Sequence, residues 1–114
     1  MKKQEGILRN IKILYDIYDR KYSDALQKAK KSLPDEYHFE GKKQLYLAEI
    51  SSLMNNLKDA VIYYDSALVI LNKSLTDNKD IIVKHSNIGI AYAGLGNKEA
   101  AIACFSDIVD KYPD

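Results

Sequence analysis

Apolar residues recur at spacings of three and four through most of the chain, and polar clusters divide that pattern into six segments. Ile7, Leu8, Ile11, Leu14, Tyr15 and Tyr18 fall on one helical face, which predicts a helix over about residues 5–19. Asp19-Arg20-Lys21 interrupts it. A second helix runs from Ser23, a residue type suited to an N-cap, through Ala25, Leu26 and Ala29 to Leu33. Pro34 ends that helix, because the residue before a proline is pushed out of the α region. Asp35 to Gly41 reads as a polar connection with Tyr37 and Phe39 turned against a neighbour.

A third helix opens near Lys42 and carries Leu45, Leu47, Ala48, Ile50, Ser51 and Met54, with Asn55-Asn56 as its turn. The fourth, from about Lys58 to Leu75, has the stripe Ala60, Tyr64, Ala67, Leu68, Leu71 and Leu75. Val61, Ile62, Val69 and Ile70 make much of its remaining circumference apolar, which predicts a helix sandwiched between neighbours. Thr76-Asp77-Asn78-Lys79 is a loop, and a fifth helix carries Ile81, Ile82, Ile88 and Tyr92 up to Gly94-Leu95-Gly96-Asn97. The sixth takes Ala100, Ala101, Cys104, Phe105, Ile108 and Val109 towards Tyr112-Pro113-Asp114. Six helices on short connections make three consecutive antiparallel hairpins and an all-α fold.

Composition narrows the function classes. The 114 residues are one domain's worth, 46% hydrophobic and 29% charged, so the chain can bury a core. Five Gly and two Pro are too few for the turns of an all-β sandwich. A net charge of +1 removes the pervasive field that favours nucleic acid or anionic membrane. Residues 1–43 carry 11 basic and 7 acidic groups and the remainder 6 and 9, an asymmetry read as solvated helix faces. The single cysteine, Cys104, excludes an internal disulfide and fits a reducing compartment. With neither a signal-peptide core nor a run of 18 apolar residues, the expectation is a cytoplasmic protein without a membrane partner.

From residue 85 the chain reads His85-x2-Ile88-Gly89-x2-Tyr92, then Ala101-x3-Phe105, then Pro113. This resembles the tetratricopeptide repeat (TPR) signature W-x2-L-G-x2-Y…A-x3-F…P at every spacing, with His85 and Ile88 in place of the tryptophan and leucine. A second copy has Leu47-Ala48-x2-Ser51, Asn55, Leu57, Ala60-x3-Tyr64 and Ala67-Leu68, with Gln44 and Ser51 replacing the consensus tryptophan and tyrosine. A weaker third, over residues 7–33, has Tyr22-x2-Ala25-Leu26 and Ala29, and its first helix fits only if the turn gains or loses a residue. The repeats fall at about 7–40, 41–80 and 81–114. Ala60 and Ala101 stand 41 residues apart, longer than the family's period of about 34. That lengthening looks like the elongated repeats of kinesin light chain and of Gram-positive peptide-pheromone-sensing regulators.

The resemblance implies three hairpins stacked as a right-handed superhelix that binds a peptide or protein segment without catalysis. It implies a concave surface made by the first helix of each repeat, carried over to Lys42, Leu45, Tyr46, Glu49 and Ser52, and to Val83, Ser86, Asn87, Ile90 and Ala93. Asn87 resembles the peptide-gripping asparagine of the pheromone-sensing regulators, since an amide can pair with both N–H and C=O of an extended backbone. A chaperone-tail adaptor is disfavoured, because only Lys42 and Asn87 remain of the basic and asparagine side chains its carboxylate clamp needs. No polar capping helix follows the sixth helix. That predicts a segment of a longer protein, such as the sensor part of a transcriptional regulator, or an exposed end through which the C-terminal helix forms a homodimer.

Enzymatic chemistry finds little footing. His38 lies in a connection and His85 at a packing position, so they are not expected to meet. Cys104 has no neighbour in sequence that would activate it and reads as a small buried hydrophobe. Gly94-Leu95-Gly96 follows a helix where a phosphate loop follows a strand. Asp35, Glu36, His38 and Glu40 lack metal-ligand spacing, so neither a metal nor a cofactor is expected. The lysines at 28, 30, 31, 42 and 43 come without interleaved stacking aromatics, so this segment is not expected to bind nucleic acid directly.

Overall fold

The computed structural model describes residues 11–17, 19–33, 41–76 and 80–112, and all regular structure among them is helical. Residues 11–17 form α1, followed by α2 (Tyr22–Ser32), α3 (Lys42–Leu53), α4 (Leu57–Ser74), α5 (Ile81–Gly94) and α6 (Lys98–Lys111). The expectations placed on Ile7, Leu8, Tyr18, Pro34, Tyr37, His38, Phe39, Asp77 to Lys79 and Pro113 lie outside the described residues. From α2 onward each helix packs on the next, and α3 also touches α5. Contact between the first helices of successive hairpins is what side-by-side stacking produces.

Three turns built alike set the register of the stack. In the first, Asp19 N–H bonds to Tyr15 C=O, Arg20 to Ile17 and Lys21 to Asp16. The same three bonds recur at Met54, Asn55 and Asn56 and again at Leu95, Gly96 and Asn97. The middle residue of each turn is left-handed, with φ of 61° at Arg20, 60° at Asn55 and 80° at Gly96. Counting from these turns, Ala25, Ala60 and Ala101 are equivalent, and all three are buried. The register of the first repeat therefore needs no insertion, and the extra length lies between the second turn and the third.

The turns differ in how they start the following helix. Asn56 Oδ1 accepts from Asp59 N–H while its amide donates to Asp59 Oδ2 at 2.8 Å, a reciprocal cap worth about 1 kcal/mol. Asn97 Oδ1 accepts from Ala100 N–H at 3.2 Å. The first turn has no such partner. Lys21, not the expected Ser23, occupies the N-cap of α2, and no side chain caps the helix there. Its Nζ reaches Asp19 at 3.4 Å, an exposed ion pair of little net worth.

Two apolar clusters form the core, one for each joint between hairpins. Ile13 of α1, Ala25, Leu26, Ala29 and Leu33 in and after α2, and Leu47 and Ile50 of α3 make the first. Leu45 and Ala48 of α3, Ala60, Tyr64, Ala67 and Leu71 of α4, and Ile88 and Ala91 of α5 make the second. α3 thus packs on α2 by one face and on α4 by another. The sandwich expected of α4 is partial: Ala60, Tyr64, Ala67 and Leu71 are buried and Tyr63, Leu68 and Ile70 half-buried, but Val61, Ile62 and Val69 are exposed. At its C-terminus the buried Lys84 of α5 donates to Ser74 C=O at 2.7 Å, placing a cation where the helix dipole favours one. Asp16 of α1, also buried, forms an ion pair with Lys28 of α2.

Candidate functional site

The first hairpin and α3 enclose an open cleft of about 580 Å³. Leu14 and Ile17 of α1 form one wall, Arg20 and Tyr22 the corner, and Lys42, Tyr46, Glu49, Ile50 and Leu53 of α3 the other wall. Lys42, Tyr46, Glu49 and Leu53 follow at intervals of four, three and four, so one stripe of α3 presents a cation, a phenol, a carboxylate and an aliphatic side chain. Lys42 and Tyr46 are half-buried, and Tyr46 also packs on the first core cluster. The volume falls within the range of small-molecule and side-chain pockets.

Loss of solvation raises the Glu49 carboxyl above its ordinary value, and the positive charge of Lys42 acts in the opposite direction. Glu49 as a residue is exposed, so its carboxyl is only partly shielded and is not a buried acid. On the far side of α3, burial pushes the Tyr64 hydroxyl up, with the charge of Glu49 adding to it. Cys104 is half-buried, not fully buried as expected, and its thiol is raised by burial and then by Asp107. A thiol shifted upward is a poor nucleophile.

The residues singled out in the sequence divide on inspection. The cleft brings together Lys42, Tyr46 and Glu49. Leu45 is a correction: it is 1% exposed, packs among Ala48, Ala60 and Tyr64, and has no surface to offer a ligand. Ser52 is exposed but does not line the cleft. On α5, Val83 and Ala93 are exposed and Ser86 and Ile90 half-buried, all outside this cleft. Asn87, equivalent to Tyr46 in the turn-based register, is 4% exposed, and its Nδ2 lacks a hydrogen-bond partner among the described residues. A buried amide proton left unpaired costs about 1–3 kcal/mol. Sequence reasoning missed Leu14, Ile17, Arg20, Tyr22, Ile50 and Leu53, because their convergence depends on how α1 leans on α3.

The family model described as tetratricopeptide repeat matches residues 87–114, covering most of α5 and all of α6. This supports a tetratricopeptide repeat family. The matched stretch contains Gly89, Tyr92, Ala101 and Phe105 of the signature. No curated protein and no solved structure gives a significant match to the chain. Tetratricopeptide repeats are generally non-catalytic modules that bind proteins or peptides. Among the described residues no group of His, Cys, Asp and Glu is arranged to hold a metal ion, and no helix is long and apolar enough to cross a membrane.

Proposed function

We propose that the protein is a peptide-binding tetratricopeptide module that seats a short segment in the cleft between the first hairpin and α3. The observation that carries this reading is the stripe Lys42, Tyr46, Glu49 and Leu53 facing Leu14 and Ile17 across an open, preformed space. Such a space offers apolar walls for an anchor side chain and polar groups at the rim for orientation, with little ordering cost on binding. A role as the sensor segment of a transcriptional regulator is a narrower form of the same proposal, in which the bound peptide would act on DNA-binding helices elsewhere in the protein.

Removing the Tyr46 ring should weaken peptide capture about tenfold, since an aromatic anchor at a site centre contributes roughly 1–2 kcal/mol or more. Isothermal titration of peptides selected from a combinatorial library, against wild type and Tyr46→Ala, measures this. Equal affinity for both proteins would remove the cleft from consideration.

Self-association through α6 is a second reading, favoured by one comparison. Phe105 and Tyr112 are 38% and 50% exposed, whereas Tyr64 and Leu71, their equivalents one repeat earlier, are 6% and 0% exposed beneath α5. Val109 alongside them is 65% exposed. A second copy laid on this face would restore the missing cover, and Val109→Asp should then abolish any dimer seen by sedimentation velocity. A wild-type monomer at millimolar concentration would end this reading and leave the cleft untouched.

A further inference from the structure

Arg20 occupies a place in the fold that does not suit it. The three equivalent turn residues are Arg20, Asn55 and Gly96, all with positive φ. Glycine and asparagine are the residues that tolerate this conformation, and a long side chain there is strained. The hydrogen bonds of the turn set that conformation but do not call for an arginine, so the choice of residue is a reason to look for function. No ion pair holds Arg20 among the described residues: Asp19 is taken by Lys21 and Asp16 by Lys28. Its side chain instead lines the cleft, at the corner where α1 gives way to α2.

The charges of the cleft are unequal. Among the described residues that line it, Arg20 and Lys42 are the cations and Glu49 the anion. Lys42 and Glu49 stand on the same stripe of α3, seven residues apart, while Arg20 enters from the opposite corner. Arg20, without an ion pair among the described residues, presents a planar fork of donors whose geometry matches a carboxylate. Leu14, Ile17 and Leu53 supply apolar surface beside it.

Resting on the cleft reading above, we infer that Arg20 is the specificity-determining residue, selecting an acidic peptide segment whose side-chain carboxylate meets the guanidinium while an adjacent aliphatic side chain fills the cleft. Conformational strain at the turn is the cost of placing that charge, and stability is traded for recognition.

The two roles of Arg20 predict opposite responses to one substitution. Arg20→Gly should raise the thermal midpoint by a few degrees, because glycine meets the left-handed requirement without strain. The same variant should bind acidic peptides about tenfold more weakly, the usual loss when a charge-assisted hydrogen bond is removed. The probe is a combinatorial library of C-terminally amidated peptides, which removes the terminal carboxylate as a competing source of charge, and a matched library with free C-termini. Wild type should enrich Asp and Glu beside Leu or Ile from both libraries, and Arg20→Gly should lose that enrichment while still retaining aliphatic peptides. Enrichment confined to the free-terminus library would overturn the side-chain assignment. Retained acidic preference in Arg20→Gly, or a lower thermal midpoint, would overturn the role of Arg20 and leave the cleft in place. Failure of wild type to retain any peptide would remove the cleft reading and this inference together.

Discussion

Leu71→Ala is expected to lower the stability of the chain by about 3 kcal/mol, within the range for large-to-small changes at fully buried leucines. Leu71 is 0% exposed and belongs to the cluster that joins α3, α4 and α5. Its Cγ and one Cδ also close the space over Gly41, where a Cβ would approach Cγ to 2.9 Å. Gly41 has φ of 88° and starts α3, so one leucine fixes both the joint between hairpins and the entry of the chain into the helix bearing the candidate cleft. A domain of this size has about 5–15 kcal/mol to lose. Urea denaturation of Leu71→Ala should show a lower midpoint, and an unchanged one would mean that the cavity collapses without cost.

Gly94→Ala and Gly89→Ala should differ sharply although both glycines lie in α5. At Gly94 a Cβ would collide with Cζ of Tyr64 and fall 2.5 Å from two further ring carbons. Tyr64 is buried, and its ring cannot withdraw without disturbing the joint, so a loss of about 2–3 kcal/mol is expected. At Gly89 the obstruction is the Phe105 ring, with its nearest atom at 2.8 Å. Phe105 is the more exposed of the two aromatics and has room to swing outward. Relief of glycine's poor helix propensity returns about 1 kcal/mol at this mid-helix site, so Gly89→Ala should be close to neutral. Thermal unfolding of the two variants side by side measures the difference, and similar melting points would show that ring burial does not govern these contacts.

The helices were legible because their apolar spacing and their punctuation agree. Asn55-Asn56 and Gly94 to Asn97 combine left-handed tolerance with capping, and both fell where expected. Ser23 misled because capping preference is a weak signal beside the turn's own hydrogen bonds, which place Lys21 at the N-cap. On α3, spacing assigns residues to faces without saying which face a neighbour covers. Leu45 and Tyr46 are adjacent in sequence, yet Leu45 turns into the joint with α4 while Tyr46 reaches the cleft. Val61, Ile62 and Val69 misled in the opposite direction, since apolar character alone does not supply a neighbour. Arg20 carried a readable trace, a charged residue aligned with an asparagine and a glycine, but that alignment required the hydrogen-bond pattern of the turns.

Lys84 bears on the order in which the stack opens. Its ammonium, buried under the end of α4, ties the last hairpin to the middle one by a hydrogen bond to Ser74 C=O, beside the apolar contacts of Ile88 and Ala91. Among the described residues the main cover of α6 is α5. Amide exchange should therefore proceed as a graded series, with α6 exchanging first, α5 retained until the Lys84 tether yields, and α3 and α4 protected to the limit of global unfolding.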